Sequence, residues 1–135
     1  MDFGRDENEW ADLIEVGADF LRERARLRKD TSYTELNATL LRRTHHRPFD
    51  FEQASERAAM GHLLGKIVEA DYRHTKAMLS SLVLYLNAND PGTGFFALAT
   101  EMGLLAKGGD KLAFWTGQIN AVFDHYATSP GAGTR

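Results

Sequence analysis

Apolar residues recur at three- and four-residue spacing through five stretches of the chain, and in a sixth they occupy both alternating faces. The first stretch holds Trp10, Leu13, Ile14, Gly17, Leu21 and Arg24 in step, which predicts a helix capped by Asp6 and running to about Lys29. Val16, Phe20 and Leu27 widen its apolar stripe, as a broad core face or a contact with a partner subunit would require. Thr31-Ser32-Tyr33-Thr34-Glu35 has the form of a capping box, with Ser32 placed to accept a first-turn N–H and Glu35 to reach back. The short helix it opens carries Tyr33, Leu36 and Leu40 on one face. It is expected to end near Arg43, before a loop in which Pro48 disfavours helical geometry at the residue preceding it.

Asp50-Phe51-Glu52-Gln53 repeats the capping pattern and opens a third predicted helix to about Asp71, faced by Phe51, Ala54, Ala58, Gly61, Leu64, Ile67 and Val68. Its small residues, Ala54, Ala58, Gly61 and Gly65, leave room for another backbone to come close. From Leu79 to Leu86 the alternation reads as a buried strand, with Leu82, Leu84 and Leu86 opposite Leu79, Val83 and Tyr85. A lone strand leaves its backbone groups unpaired, so it needs a partner, sought at Arg73–Met78, at His45–Phe49 or in another chain. Asn87–Gly94 is the densest turn signal, with Pro91 and two glycines. A helix Phe95–Leu105 follows, and after Gly108-Gly109-Asp110 a final amphipathic helix carries Leu112, Trp115, Ile119, Val122 and Tyr126. Residues 127–135 read as a disordered tail. The pattern as a whole predicts a mainly helical domain with a small β element, spanning residues 1–126, with one buried strand and two C-terminal helices.

The length of 135 residues suits one domain, and the absence of cysteine removes disulfides, thiolate metal sites and thiol nucleophiles. The polar start Met1–Trp10 lacks the basic and apolar regions of a signal peptide, and no apolar run reaches the length of a membrane span, so a cytoplasmic location is expected, without membrane partners. Charge changes the picture more. Residues 1–21 carry seven acids against Arg5, whereas residues 22–47 carry eight basic residues against Glu23, Asp30 and Glu35. Arg22, Arg24, Arg26, Arg28, Lys29, Arg42, Arg43 and Arg47, with His45 and His46 alongside, would suit a polyanion. The same cations at a helix C-terminus would also answer the negative end of the helix dipole.

Specific catalytic patterns are missing. The Asn87–Gly94 turn has neither the Walker lysine nor the G-x-G-x-x-G spacing of a nucleotide loop, and the five histidines form no H-E-x-x-H or similar ligand set. Ser80 and Ser81 lie inside an apolar run without a G-x-S-x-G elbow. Glu52 and Glu56 fall one turn apart, the ordinary arrangement of exposed helix carboxylates. No catalytic residue, metal site or cofactor is therefore expected.

The order of elements says most: a helix opening with Ser32-Tyr33-Thr34-Glu35-Leu36, a loop, a longer helix carrying Arg57-Ala58-Ala59-Met60-Gly61, then strand, turn and helix. Over residues 31–94 this resembles a winged helix-turn-helix. More narrowly, it is similar to the DNA-binding half of alkyltransferase and alkyltransferase-like proteins, in which a tyrosine opening one helix positions a phosphate and an arginine beginning an R-A-V-G segment fills the stack left by a flipped base. The resemblance implies those roles for Tyr33 and Arg57. The loop between them is longer than the family's, and Met78-Leu79-Ser80-Ser81-Leu82-Val83 replaces the P-C-H-R-V strand, so alkyl transfer is not expected. The leading expectation is thus a small winged-helix-like nucleic-acid-binding or regulatory protein, with Arg22, Arg26, Tyr33, Arg42, Arg43, Arg47 and Arg57 on double-stranded DNA. Its alternative is an interaction module without catalytic activity that docks a protein partner or a second copy of itself through Phe95, Phe96, Phe114, Trp115 and Phe123.

Overall fold

The computed structural model describes residues 3–127 and is mainly helical, with a small parallel sheet. Helix α1, Glu7–Arg26, begins where the sequence places it: the Asp6 side chain accepts the Glu9 N–H at 2.8 Å, and Glu7 and Glu9 face the positive end of the dipole. It buries Trp10, Leu13, Phe20 and Leu21. Gly17 is needed for packing, since a Cβ there would lie 2.8 Å from Cδ1 of Ile67 on α3. The chain leaves α1 through Leu27 and Arg28, the latter with a positive φ of 55°, and straightens into strand β1, Thr31–Ser32. Ser32 also caps helix α2, Tyr33–Thr44, accepting the Glu35 N–H at 3.0 Å.

The loop after α2 is fastened by a buried cation. Arg5, 1% exposed, donates to the carbonyl of Arg47 at 2.9 Å and to Glu9 at 2.7 Å, and its guanidinium lies 4.1 Å from the Phe49 ring centroid. Glu56, also buried, accepts from Arg47 at 3.2 Å and from the Asp50 N–H at 3.1 Å. Asp50 caps a turn, accepting from Glu52 N–H and Gln53 Nε2, and helix α3 begins three residues later than expected, with Gln53 in the cap position. It runs Ala54–Thr75 and ends at Lys76 in the left-handed region.

The expected strand Leu79–Leu86 is mostly something else. Leu79–Leu82 forms a 3-10 turn, and only Val83–Leu84 is strand, β2. A continuous apolar run fits a buried strand and a buried helical turn equally well, so periodicity could not separate them. The pairing partner also differs from those sought: β2 runs parallel to β1, with Thr31 beside Val83 and Ser32 beside Leu84. The 3-10 turn finds its remaining partners in the C-terminal helix α5, Lys111–Ala127: Gln118 accepts the Met78 N–H at 2.8 Å, and Trp115 Nε1 donates to the Ser81 carbonyl at 2.9 Å. Helix α4, Thr93–Glu101, is shorter than the expected Phe95–Leu105, because the chain turns at Gly103 with φ 78°. Ala127 closes α5, and the rest of the expected disordered tail lies outside the described residues.

The main core joins α1, α2, α3, the 3-10 turn and α5. A second cluster gathers Val68, Met78, Phe95, Ala99 and Leu105, with Phe96, Phe114 and Trp115 packed on it. Between α1, α3 and α5 sits Asp71, 0% exposed, which accepts from Arg22 Nε at 3.0 Å, from Thr75 Oγ1 at 3.0 Å and from the Tyr126 hydroxyl. Burial opposes the Arg22 charge, but its hydrogen bonds to Tyr126 and Asp71 outweigh that and hold its pKa above the ordinary arginine value.

Burial, together with the bond to Asp71, pushes the Tyr126 phenol up to about 12, against an unfolded value of about 10. The stability linked to this shift is complete below the unfolded value and is lost as the pH rises towards about 12. Tyr126→Phe should therefore lower stability at neutral pH by roughly 1–3 kcal/mol, the usual worth of a hydrogen bond to a charged group. It should also flatten the alkaline fall in stability, as measured by urea unfolding across that pH range.

Candidate functional site

Register alone brings two aromatic rings together. Tyr33 follows β1 and Tyr85 follows β2, so the parallel pairing sets them side by side, and their rings stack with centroids 4.2 Å apart. The Tyr33 hydroxyl donates to the Pro91 carbonyl at 2.9 Å. Burial first, then the neighbouring Tyr85 and Asp90, raise its pKa well above the ordinary tyrosine value, so it stays a neutral donor.

The loop from Tyr85 to Gly92 folds back onto this pair. The Tyr85 N–H donates to the Asp90 carbonyl at 2.9 Å, closing an isolated antiparallel bridge, and Asp90 Oδ1 accepts the Gly92 N–H at 2.7 Å. Gly92 has φ 87°, and a Cβ on it would fall 2.4 Å from Tyr85 Cε2. A side chain is excluded there both by backbone geometry and by the ring it rests on.

These elements border a cavity of about 670 Å³, within the range of small-ligand sites. Tyr33, Phe51, Arg57, Met60, Tyr85 and Leu86 supply its main side chains. Arg57 is exposed at the start of α3 and donates one N–H to the Phe51 carbonyl at 2.6 Å, leaving the other guanidinium donors for a ligand. Leu86 is 76% exposed and Tyr85 41%. The site is an apolar hollow with one cation beside it, suited to holding a flat or apolar group next to an anionic one.

Of the seven residues expected to bind nucleic acid, Tyr33 and Arg57 line this cavity and the other five do not. Arg22 serves the buried Asp71. Arg26 lies 5.9 Å from the Tyr126 ring centroid. Arg43 holds Glu23 through two bonds of 2.9 Å, which lowers the Glu23 pKa and raises its own. Arg47 bonds Glu56 and the carbonyl of Phe3, and Arg42 donates to Thr39 of its own helix. Elsewhere in the basic segment, Arg24 is held by the Asp30 carbonyl and Arg28 by Asp124.

The histidines are similarly dispersed. His62 packs between Phe3 and Trp10, His46 Nε2 meets Asp12 at 2.9 Å, and His45 caps α2 in the left-handed region. Among the described residues, no group of three or more His, Asp or Glu could hold a metal ion. No helix among them is long and apolar enough to cross a membrane. Sequence reasoning missed Tyr85, Leu86 and Phe51 as site residues. The available signal was the turn Asn87–Gly94, which begins two residues after Tyr85 and sets that aromatic and Leu86 at a loop mouth rather than in the core. Comparison of the chain with models of protein families, with curated proteins and with solved structures found no match.

Gly92→Ala tests the loop's seat on the tyrosine pair. Forcing a β-carbon into the left-handed region against Tyr85 should cost roughly 1–3 kcal/mol. The near-ultraviolet circular dichroism of the Tyr33–Tyr85 stack should weaken, while the far-ultraviolet helical signal stays unchanged.

Proposed function

We propose that the chain is a small nucleic-acid-binding or regulatory protein that meets double-stranded DNA at the cavity beside Tyr33 and Arg57. One observation carries this reading: the residues to which the likeness to alkyltransferase-like proteins gives phosphate positioning and base stacking come from different helices and line the same hollow. An arginine with a free planar face can stack on a base and bond a phosphate. The exposed surfaces of Tyr85 and Leu86 add an apolar platform next to it. The tyrosine-clamped loop after β2 takes the place of a wing.

The arginine pairings alter how such binding would behave. Arg22, Arg43 and Arg47 already face carboxylates, so few counterions would be released and the salt dependence would be shallow. Titration of a fluorescent duplex at low salt tests this. Arg57→Ala should weaken binding about tenfold or more, and Arg42→Glu only about threefold, as for a single peripheral phosphate contact. Absence of any duplex affinity at low salt overturns the reading.

A protein-interaction module is the second reading, and the exposure of Leu112 at 67% favours it. Phe96 and Phe114 themselves pack on the second cluster. Sedimentation of the full chain separates the two readings: self-association that Leu112→Asp abolishes would support the module, and a strict monomer would remove its homodimeric form.

A further inference from the structure

Arg57 is the one charged side chain among the described residues that border the large hollow. It is not neutralised from within: among the described residues it bonds the Phe51 carbonyl at 2.6 Å and no carboxylate, whereas Arg22, Arg43 and Arg47 each face one. That bond uses Nη1. The edge formed by Nε and Nη2 stays open, and its two parallel N–H groups match the spacing of the oxygens of a carboxylate. The rest of the wall is of a different kind, with the rings of Tyr33, Phe51 and Tyr85, the thioether of Met60 and the side chain of Leu86.

Charge and size limit what fits. A phosphate monoester carries nearly two charges at neutral pH, and one arginine would leave part of that charge unanswered beside apolar side chains. A carboxylate carries one charge and is matched by one guanidinium. Aromatic rings and a thioether favour an aromatic neighbour. The hollow, at about 670 Å³, is well above the cavity of about 150 Å³ that holds a benzene ring in another protein, so a fused two-ring body has room. We infer that the hollow binds a free aromatic monocarboxylic acid of about two fused rings, its carboxylate on the Nε and Nη2 edge of Arg57 and its rings against Phe51, Met60, Tyr85 and Leu86. This goes beyond the nucleic-acid reading and does not rest on it, because the occupant is a small molecule whose binding is measured with no duplex present.

Titration of the isotopically labelled full chain with 2-naphthoate, followed by amide chemical shifts, tests the inference. Saturable shifts should appear at Arg57, Gly61, Leu86 and Gly94, with a dissociation constant in the millimolar range or tighter. The neutral 2-naphthamide, the dianionic 2-naphthyl phosphate and the saturated decahydro-2-naphthoate should each bind more weakly than 2-naphthoate. Arg57→Gln should lower the affinity for the acid about tenfold or more, the worth of a hydrogen bond to a charged group, and that for the amide by much less. Leu86→Glu changes a side chain that is 76% exposed, so the fold is kept, and it sets a like charge at the rim that should weaken the acid more than the amide. The inference is overturned by the absence of saturable shifts at those amides, by any of the three analogues binding as tightly as 2-naphthoate, or by either variant affecting acid and amide equally. Loss of duplex binding alone would overturn only the nucleic-acid reading.

Discussion

Two residues of parallel pairing, Thr31–Ser32 against Val83–Leu84, fix the geometry of everything around the cavity. A sheet this small contributes little by itself. Its effect is positional, because parallel register is exact and the residue following each strand inherits it. Tyr33 begins a helix and Tyr85 begins a loop, yet the pairing places them ring to ring. The loop then has a surface to fold against, the start of α3 completes the hollow, and Arg57 comes to its mouth. A slip of one residue between β1 and β2 would turn both tyrosines to opposite faces and dissolve the site.

The cations of the chain have largely internal work. Arg5 is sealed under the loop that follows α2, Arg22 neutralises the buried Asp71, and Arg43 bridges α2 to α1 through Glu23. The acidic opening segment and the basic one after it, which look like separate fields along the sequence, meet in space through Arg22 with Asp19 and His46 with Asp12. Arg22, Arg43 and Arg47 thus face carboxylates within the fold, and the cation at the hollow stands apart from them.

Local signals in the sequence were reliable where the physics is local. Asp6 and Ser32 announce their helices because a cap and the N–H it satisfies lie within four residues. The mainly helical class with its small β element was legible for the same reason. Leu79–Leu86 was not, because its buried part, Leu79–Leu84, shows no alternation of solvent and core faces from which to read a period. Its partner was hidden too, since Thr31 and Ser32 are polar residues already accounted for as a cap. The pairings of the basic segment were not legible either: Arg22 and Asp71, or Arg47 and Glu56, are joined by folding, and spacing along a chain carries no mark of such pairs. Tyr33 and Arg57 were singled out by likeness to a family, while their meeting in one hollow is a property of the tertiary structure alone.

The segment from Met78 to Leu84, 3-10 turn and strand together, is buried and takes hydrogen-bond partners from both directions along the chain. Thr31 and Ser32 are synthesised long before it, whereas Gln118 and Trp115 emerge well after. Until α5 is in place, the Met78 N–H and the Ser81 carbonyl therefore lack the partners they have in the fold. Helix α5 thus acts as a fastener, binding the buried segment at both ends of its 3-10 turn through Gln118 and Trp115.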